Sequence, residues 1–391
     1  MRSWTQHRDM HSLRLGTVAG IEVRADWSLV VLLWLLTWDF AAVALPALAS
    51  GYPTAVYWIV AVLAAACVLC ALFAHEMSHS VVARRHGIAV RDITLWMLGG
   101  ISTIDGAPAT PRDELAIAVA GPAASIALGS AALVAAVAFA AIAAPRIVIA
   151  GIVWVALVNL MLAVFNLAPA APLDGGRILR AWLWHRSGDR YTATVRAAHA
   201  GTVFAWLLMT AGFAEFAFGG DLGGLWLIVL GWFVYGSSRA ERQQAEVERG
   251  LSGLRVRDVM TPRPRTVPDT LTVADLVEEL LSPSPVSAFP LTAPDGHISG
   301  LVTLTDCKRV PAAQRNHVLA GAIAAPIANV PKAAPGEPAF SALERTTVSQ
   351  RRLLVFENGA LVGIVTPADV LRIVQRAALR PPASGFEHRA A

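Results

Sequence analysis

The sequence predicts a polytopic α-helical membrane domain of about six transmembrane helices, followed by a soluble α/β module built from two repeated units. Three observations carry that reading. Of 391 residues, 55% are hydrophobic and 15% charged, with a mean hydropathy of +0.54, whereas a globular domain carries about 25% charged residues. The charge deficit is local, lying between Trp27 and Tyr235, while both flanks have ordinary composition. The C-terminal third contains an internal repeat.

Taken in order, a segment mixing β-branched residues and glycines, Arg14–Val23, reads as a short hairpin at the membrane surface. The first apolar run begins only near Trp27 and is long enough to span, so it reads as a span rather than a cleaved leader. Six candidate spans follow one another: Trp27–Leu48, Ala55–Ala74, Ala116–Ala143, Ile147–Leu167, Thr202–Phe218 and the short Leu225–Tyr235. Asp39, inside the first, is expected to face the bundle or lie near the outer surface. The loops after the first, third and fifth runs hold almost no positive charge beyond Arg146. The alternate loops hold Arg84, Arg85, Arg91, Arg112, Arg177, Arg180, Arg186, Arg190 and Arg196. The positive-inside rule therefore predicts a multi-pass cell-membrane protein with both termini in the cytoplasm.

Beyond the spans, Arg239–Arg249 is charged and reads as a helical linker. From about Arg255 the chain reads as soluble and mixed α/β. There Asp295 to Asp306 (DGHISGLVTLTD) matches Asn358 to Asp369 (NGALVGIVTPAD) at a constant offset. Each copy begins with a tight-turn dipeptide, continues as an apolar strand and ends on an Asp suited to cap a helix. A repeated supersecondary unit implies two copies packed together. The expected divisions are an N-terminal hairpin (1–26), a membrane domain (27–238), a linker (239–254), two repeat units (255–313 and 314–376) and a tail (377–391).

Some function classes have no support. The net charge of +4 is modest and the arginines sit at span ends rather than on one face, so no nucleic-acid partner is expected; the bilayer is. Cys67, Cys70 and Cys307 are too few for a disulfide framework, and the Cys67/Cys70 pair lies in an apolar helical run where small buried cysteines are common.

The chemistry is concentrated in Phe73–Ser80 (FAHEMSHS). His75 and His79 are one helical turn apart, so both imidazoles project from one face and can share a metal ion. Glu76 stands beside the first, placed to take a proton from metal-bound water; this is the HExxH pattern of zinc hydrolases. On a soluble surface the three groups would be a solvated face. At the end of an apolar helix their burial is costly, which marks a functional site. Five residues separate His79 from Arg84, so the metal is expected about 7–8 Å inside the cytoplasmic boundary. A catalytic zinc takes three protein ligands and keeps one open position. Asp174, in Asn166–Arg177 (NLAPAAPLDGGR), is the candidate third ligand, with prolines and glycines allowing an irregular backbone there. Spacing alone leaves it equally able to cap the helix that follows.

The sequence HEMSH at the end of an apolar helix, Ala120-Gly121-Pro122 in the third span, and Asn166 to Arg177 together resemble the site-2 protease family. Leu15–Trp27 and Gly87–Gly100 are also similar to it, so the likeness covers most of residues 12–240. The repeat resembles a pair of CBS domains, through Gly300–Asp306, Gly363–Asp369 and Asp258–Pro262. The resemblance implies an intramembrane zinc endopeptidase with one Zn2+ per chain. It would be held by His75, His79 and Asp174, with Glu76 as the catalytic acid/base and Asn166, or secondarily Asn159, as the oxyanion donor. It implies a membrane-anchored regulator, such as an anti-sigma factor, as substrate. Ile93–Gly100 is expected as the edge strand on which an unwound substrate pairs.

From the CBS likeness come control by that module, a homodimer through it, and an adenine nucleotide contacted at Thr303, Asp306, Thr366 and Asp369. The arginines before Asn358, Arg345, Arg351 and Arg352, depart from the usual apolar pattern there. Two other classes stand beside this reading: a catalytically silent membrane binding protein, and a CBS-gated transporter. The first sits poorly with an intact set of four catalytic groups. The second would bring polar residues along several spans and inverted repeats.

Overall fold

A computed structural model describes residues 12–97, 99–219, 223–281, 287–346 and 352–378. The expected tail lies, from residue 379, outside them. The chain divides into two compact units, one within residues 7–245 and one formed essentially by 246–391.

In the membrane unit the expected hairpin is present as β1 (Ser12–Val18) and β2 (Ile21–Asp26), turned at Ala19 and Gly20 with φ of 51° and 76°. Two left-handed residues give the twist that a two-residue hairpin needs. The Arg84 guanidinium donates to Ala19 O and ties this turn to the end of the second helix. The hairpin does not stand alone: β3 (Ala89–Trp96) joins β2 in parallel, and β4 (Gly99–Asp105) joins β3 antiparallel. The order β1-β2-β3-β4 makes β3 an inner strand. The free edge expected at Ile93–Gly100 is therefore β4, because β2 already occupies the other side of β3. On the opposite edge Leu13 and Leu15 of β1 stand 73% and 63% exposed.

Five helices among the described residues are long and apolar enough to cross a membrane: α1 (Ser28–Leu48), α2 (Thr54–Arg85), α3 (Pro111–Ala141), α4 (Arg146–Asn166) and α6 (Arg190–Ala214, continuing to Gly219). Between α4 and α6 lies α5 (Asp174–Ser187), which has an amphipathic pattern. Within α1 a π-helical turn covers Phe40–Ala44 just before Pro46, which has no N–H to continue the regular ladder. Asp39 ends the regular part of α1, exposed. Helix α2 buries Tyr57, Ala61, Ala64, Ala65, Val68, Leu72, His75 and His79, a stripe at helical spacing, while Ile59, Val62 and Leu63 face outward. Small residues on the inner stripe let neighbouring helices approach closely where lipid supplies no hydrophobic drive. Helix α3 starts with Pro111 behind a Thr110–Asp113 capping box.

The sixth expected span is the first part of α7 (Gly223–Leu251), a single helix that continues through the charged linker. It falls outside the five because a helix over 225–235 rises only about 16 Å, against about 30 Å of hydrocarbon. It nevertheless retraces α6 in the opposite direction. A Cβ on Gly224 would meet Gly212 O at 2.4 Å, one on Gly231 Ala205 O at 2.8 Å, and one on Gly201 Ser238 Oγ at 2.4 Å.

In the second unit the repeats exchange strands. The first repeat's sheet is β6 (Val267–Pro268), β7 (Ala288–Thr292), β8 (Ile298–Thr303) and β9 (Ala325–Pro326); the second's is β10 (Lys332–Ala333), β11 (Leu353–Glu357), β12 (Ala360–Val365) and β5 (Thr261–Pro262). Thus β5, at the start of the first repeat, pairs with β12 of the second, and β9, at the start of the second, pairs with β8 of the first. Helices α8 (Val273–Leu281), α9 (Leu304–Arg309), α10 (Ala339–Glu344) and α11 (Pro367–Ala378) accompany the sheets. Ala288 and Leu301 of one sheet pack with Leu354 and Ile364 of the other in one core. Leu354→Ala should therefore cost about 2–5 kcal/mol. Hydrogen exchange should then lose protection in β7 and β8 as well as in β11 and β12.

Candidate metal centre

Three side chains from two distant parts of the chain meet at one point. Asp174 Oδ2 lies 3.2 Å from Nε2 of both His75 and His79, and those two nitrogens are 3.3 Å apart. All three residues are buried, at 2%, 5% and 7% exposure. The outward ring nitrogens are already engaged. His79 Nδ1 is 2.6 Å from Ile117 O, and His75 Nδ1 is 2.9 Å from Ser125 Oγ. A carbonyl only accepts, so His79 carries its proton on Nδ1 and turns the Nε2 lone pair inward; Ser125 can impose the same tautomer on His75.

Two imidazole lone pairs and a carboxylate thus converge in an apolar interior, an arrangement that repels itself unless a cation sits among them. Zinc bound tetrahedrally to such donors at about 2.0–2.1 Å sets them about 3.3 Å apart. The spacing and chemistry of these residues fit that ion. His75, His79 and Asp174 are the group able to hold a metal among the described residues.

The rest of the architecture keeps this space open. A Cβ on Gly121 would lie 2.2 Å from His79 Nε2 and 2.6 Å from His75 Nε2. Ile117, Gly121 and Ser125 recur every four residues along α3, so one face of that helix supplies the carbonyl, the gap and the hydroxyl. Asp174 owes its place to the turn before α5. There a Cβ on Gly175 would meet Leu167 O at 2.2 Å and Ala168 O at 2.3 Å. The chain folds back over the start of α5 so tightly that only glycine fits after the aspartate. Asp174 is the first residue of α5; the cap position before it is Leu173, no side chain caps the helix, and the Asp174 carboxylate turns to the histidines.

Glu76 is not part of the cluster. Its Oε1 accepts a hydrogen bond from Gly100 N of β4 at 3.2 Å, and a Cβ on Gly100 would overlap its side chain. The free edge strand therefore touches the carboxylate beside the metal ligands. Asn159 and Asn166 each donate to a carbonyl of their own helix, Val155 O at 2.8 Å and Leu162 O at 2.9 Å. Neither meets the cluster in a recorded hydrogen bond, although Asn159 Oδ1 is buried without a partner among the described residues.

In the second unit the four residues expected at a nucleotide are helix caps. Thr303 Oγ1 donates to Asp306 Oδ2 at 2.6 Å, and Thr366 Oγ1 to Asp369 Oδ2 at 2.7 Å. Asp369 is buried and also accepts from Thr261 Oγ1 at 2.9 Å and pairs with Arg372 at 3.0 Å, so both its oxygens are occupied. Asp306 is freer, with Arg309 3.7 Å from its other oxygen. Of the departing arginines, Arg352 donates to Ser287 O and Oγ, and its partial burial lowers its pKa. Cys67, Cys70 and Cys307 are free thiols.

Sequence reasoning alone missed Ser125, the Ile117 carbonyl, Gly100 and the fit of Gly121. The four-residue spacing of Ile117, Gly121 and Ser125 was the available signal. Gly121→Ala should displace the histidine nitrogens and abolish zinc retention by detergent-purified protein, whereas Ala120→Gly should leave it intact; metal analysis reads both.

The profile of peptidase family M50 matches residues 63–145 and 132–210, and that of the CBS domain matches 256–313 and 320–376. Rip3 of Mycobacterium tuberculosis (strain H37Rv), by name a candidate zinc metalloprotease, is 42% identical over 377 residues, covering 96% of each chain. Zinc metalloprotease MJ0392 of Methanocaldococcus jannaschii is 28% identical over 301 residues, covering 76% of this chain and 80% of that one. The solved site-2 protease from Methanocaldococcus jannaschii is 28% identical, covers 59% of this chain and 95% of its own, and has a TM-score of 0.41. Spanning helices, the two family profiles and the relative 42% identical over 96% of the chain agree: the chain is a multi-pass membrane protein of peptidase family M50, the site-2 proteases, carrying two C-terminal CBS domains.

Proposed function

We propose that this chain is an intramembrane zinc endopeptidase whose centre is His75, His79 and Asp174, with Glu76 as the acid/base. The observation that carries the proposal is the convergence of two histidine Nε2 atoms and one carboxylate oxygen at 3.2–3.3 Å, with the outer imidazole nitrogens already engaged.

When bound, zinc polarises a carbonyl and brings the pKa of its water toward about 7. The chain's own residues do the rest. Glu76, one residue from the first ligand, takes the proton of the attacking water and delivers it to the leaving amide nitrogen. The amide of Gly100 holds the Glu76 carboxylate near the free edge of β4. A transmembrane substrate hides its peptide bonds in its own helix. Once locally unwound, it can pair its backbone with the open side of β4, bringing a peptide bond toward Glu76. For the oxyanion, Asn166 and Asn159 remain the candidate donors on chain position, and each must release or share its present carbonyl contact.

The substrate class is a membrane-anchored regulatory protein, such as an anti-sigma factor, cut in or near its transmembrane segment. Both termini lie in the cytoplasm, with α7 as the sixth crossing. The arginine asymmetry of the loops supports this, as does the return of α7 along α6 from Gly224 to Ser238. The CBS pair regulates cleavage, binds an adenine nucleotide and dimerises the chain. The half-buried Asp306, with Arg309 only 3.7 Å from its Oδ1, suits ribose and phosphate better than Asp369, whose two oxygens are both occupied.

The test compares zinc content and cleavage of a transmembrane reporter in detergent-purified variants. The parent should hold about one zinc per chain, and His75→Ala, His79→Ala and Asp174→Ala should lose it. Glu76→Gln should keep zinc and lose about 10²–10⁴-fold in cleavage rate. A parent without metal, or a Glu76→Gln variant that cleaves like the parent, overturns the reading. For the CBS pair, equilibrium dialysis with ATP and AMP should show binding that Asp306→Ala abolishes; no binding of either nucleotide removes that part.

A further inference from the structure

One buried charge cluster in the membrane unit lies outside the metal centre. Glu114, in the first turn of α3, is fully buried. Arg180 of α5 donates to its Oε1 through Nε at 2.7 Å and again through Nη2. Arg180 Nη1 donates to Glu241 Oε1 of α7. The side chains of Arg180 and Glu241 are 15% and 28% exposed. Three helices therefore meet at one guanidinium.

The cluster shares its helices with the metal site. Helix α3 carries Glu114 and, two turns later, Gly121 against the histidine Nε2 atoms. Helix α5 carries Asp174 at its start and Arg180 six residues on. The two separations correspond to about 10 Å and about 9 Å of helical rise. The helices run antiparallel, with Gly121 and Asp174 at one level and Glu114 and Arg180 at the other. A rung at the second level fixes how far α5 can slide along α3, and that sliding coordinate is the one that carries Asp174 toward or away from the histidines.

Helix α7 holds the α5 segment at two points. Ser238 Oγ donates to Ala171 O in the turn just before Asp174, and Glu241, three residues along the same face, holds Arg180.

Stability alone is a poor account of this cluster. Buried ion pairs seldom stabilise more than well-packed apolar side chains would, because both charges lose their hydration. Glu114 Oε2 is left without a partner among the described residues, so the pair is not optimised even on its own terms. Geometry is what the rigid planar guanidinium supplies better than an apolar contact, with two N–H groups on Glu114 Oε1 and a third on Glu241 Oε1.

We infer that Arg180 is a positioning residue for the metal centre: clamped by Glu114 and Glu241, it sets the register of α5 against α3 and thereby holds Asp174 Oδ2 beside His75 and His79. The inference rests on the metal reading proposed above. It also makes the grip on the metal sensitive to the position of α7, the helix from which the chain continues toward the CBS domains.

The experiment uses full-length, detergent-purified protein and two conservative variants, Arg180→Lys and Glu241→Gln. Zinc affinity is measured by competition with a chelator, ligand geometry by the visible spectrum after loading with Co2+, and folding by thermal unfolding. Arg180→Lys keeps the charge but loses the fork, and should weaken zinc binding about 10–100-fold with altered cobalt bands. Glu241→Gln, at the more exposed partner, should change both in the same direction by a smaller factor without lowering the unfolding temperature. Should Arg180→Lys fail to fold, Glu241→Gln decides. Variants that hold zinc with the parent's affinity and give the parent's cobalt spectrum overturn the inference while leaving the protease proposal intact. A parent that binds no metal overturns both.

Discussion

The constraint on which this structure turns is the meeting of three electron-pair donors in a place where water cannot separate them. Nε2 of His75, Nε2 of His79 and Oδ2 of Asp174 lie within 3.3 Å of one another. Unpaired polar groups at such depth cost several kcal/mol each. A protein accepts that only when something of opposite charge completes the set. The surrounding fold answers this requirement: donors and acceptors on α3 fix the imidazole tautomers, Gly121 leaves the gap, and the turn before α5 brings in the carboxylate.

Helix α3 is the organising element. Its face bearing Glu114, Ile117, Gly121 and Ser125 touches the arginine of α5 and both histidines of α2, although it adds no residue to the cluster of His75, His79 and Asp174. The capping box and Pro111 fix where α3 begins, and so the level of every residue on that face. A change of register by one residue would rotate the face by about 100° and dismantle the site. Residues of this kind act on chemistry through geometry, which is why they escape a search for catalytic side chains.

The sheet adds a second constraint. Because β3 is paired on both sides, the edge on this side of the sheet is β4, and the amide of Gly100 on that edge meets Glu76. One short strand thus borders both a surface able to receive an extended chain and the carboxylate that would move its protons. In the second unit strand exchange has a comparable effect. With β5 placed in the sheet of the second repeat and β9 in that of the first, neither repeat completes its sheet alone.

Much of this was legible in the sequence. Hydropathy fixed the membrane spans because burial in lipid demands unbroken apolar helices. HEMSH announced its own geometry because residues four apart share a helix face. The hairpin at Ala19 and Gly20 and the repeated Asp caps were readable because turns and caps are local. Asp174 was ambiguous between ligand and cap, since spacing along a chain says nothing of what faces a residue across the bundle. The edge strand was misplaced by one strand because pairing order is a non-local property. The short apolar run 225–235 was visible, but its return along α6 depends on glycine contacts between helices. Sequence by itself determined that His75 and His79 share one helix face with Glu76 beside them, the HExxH pattern, because that follows from local periodicity. Only the tertiary structure brought Asp174 within 3.2 Å of both histidines, left room for them at Gly121 and set Arg180 between Glu114 and Glu241, because each depends on which helix faces which at a given depth.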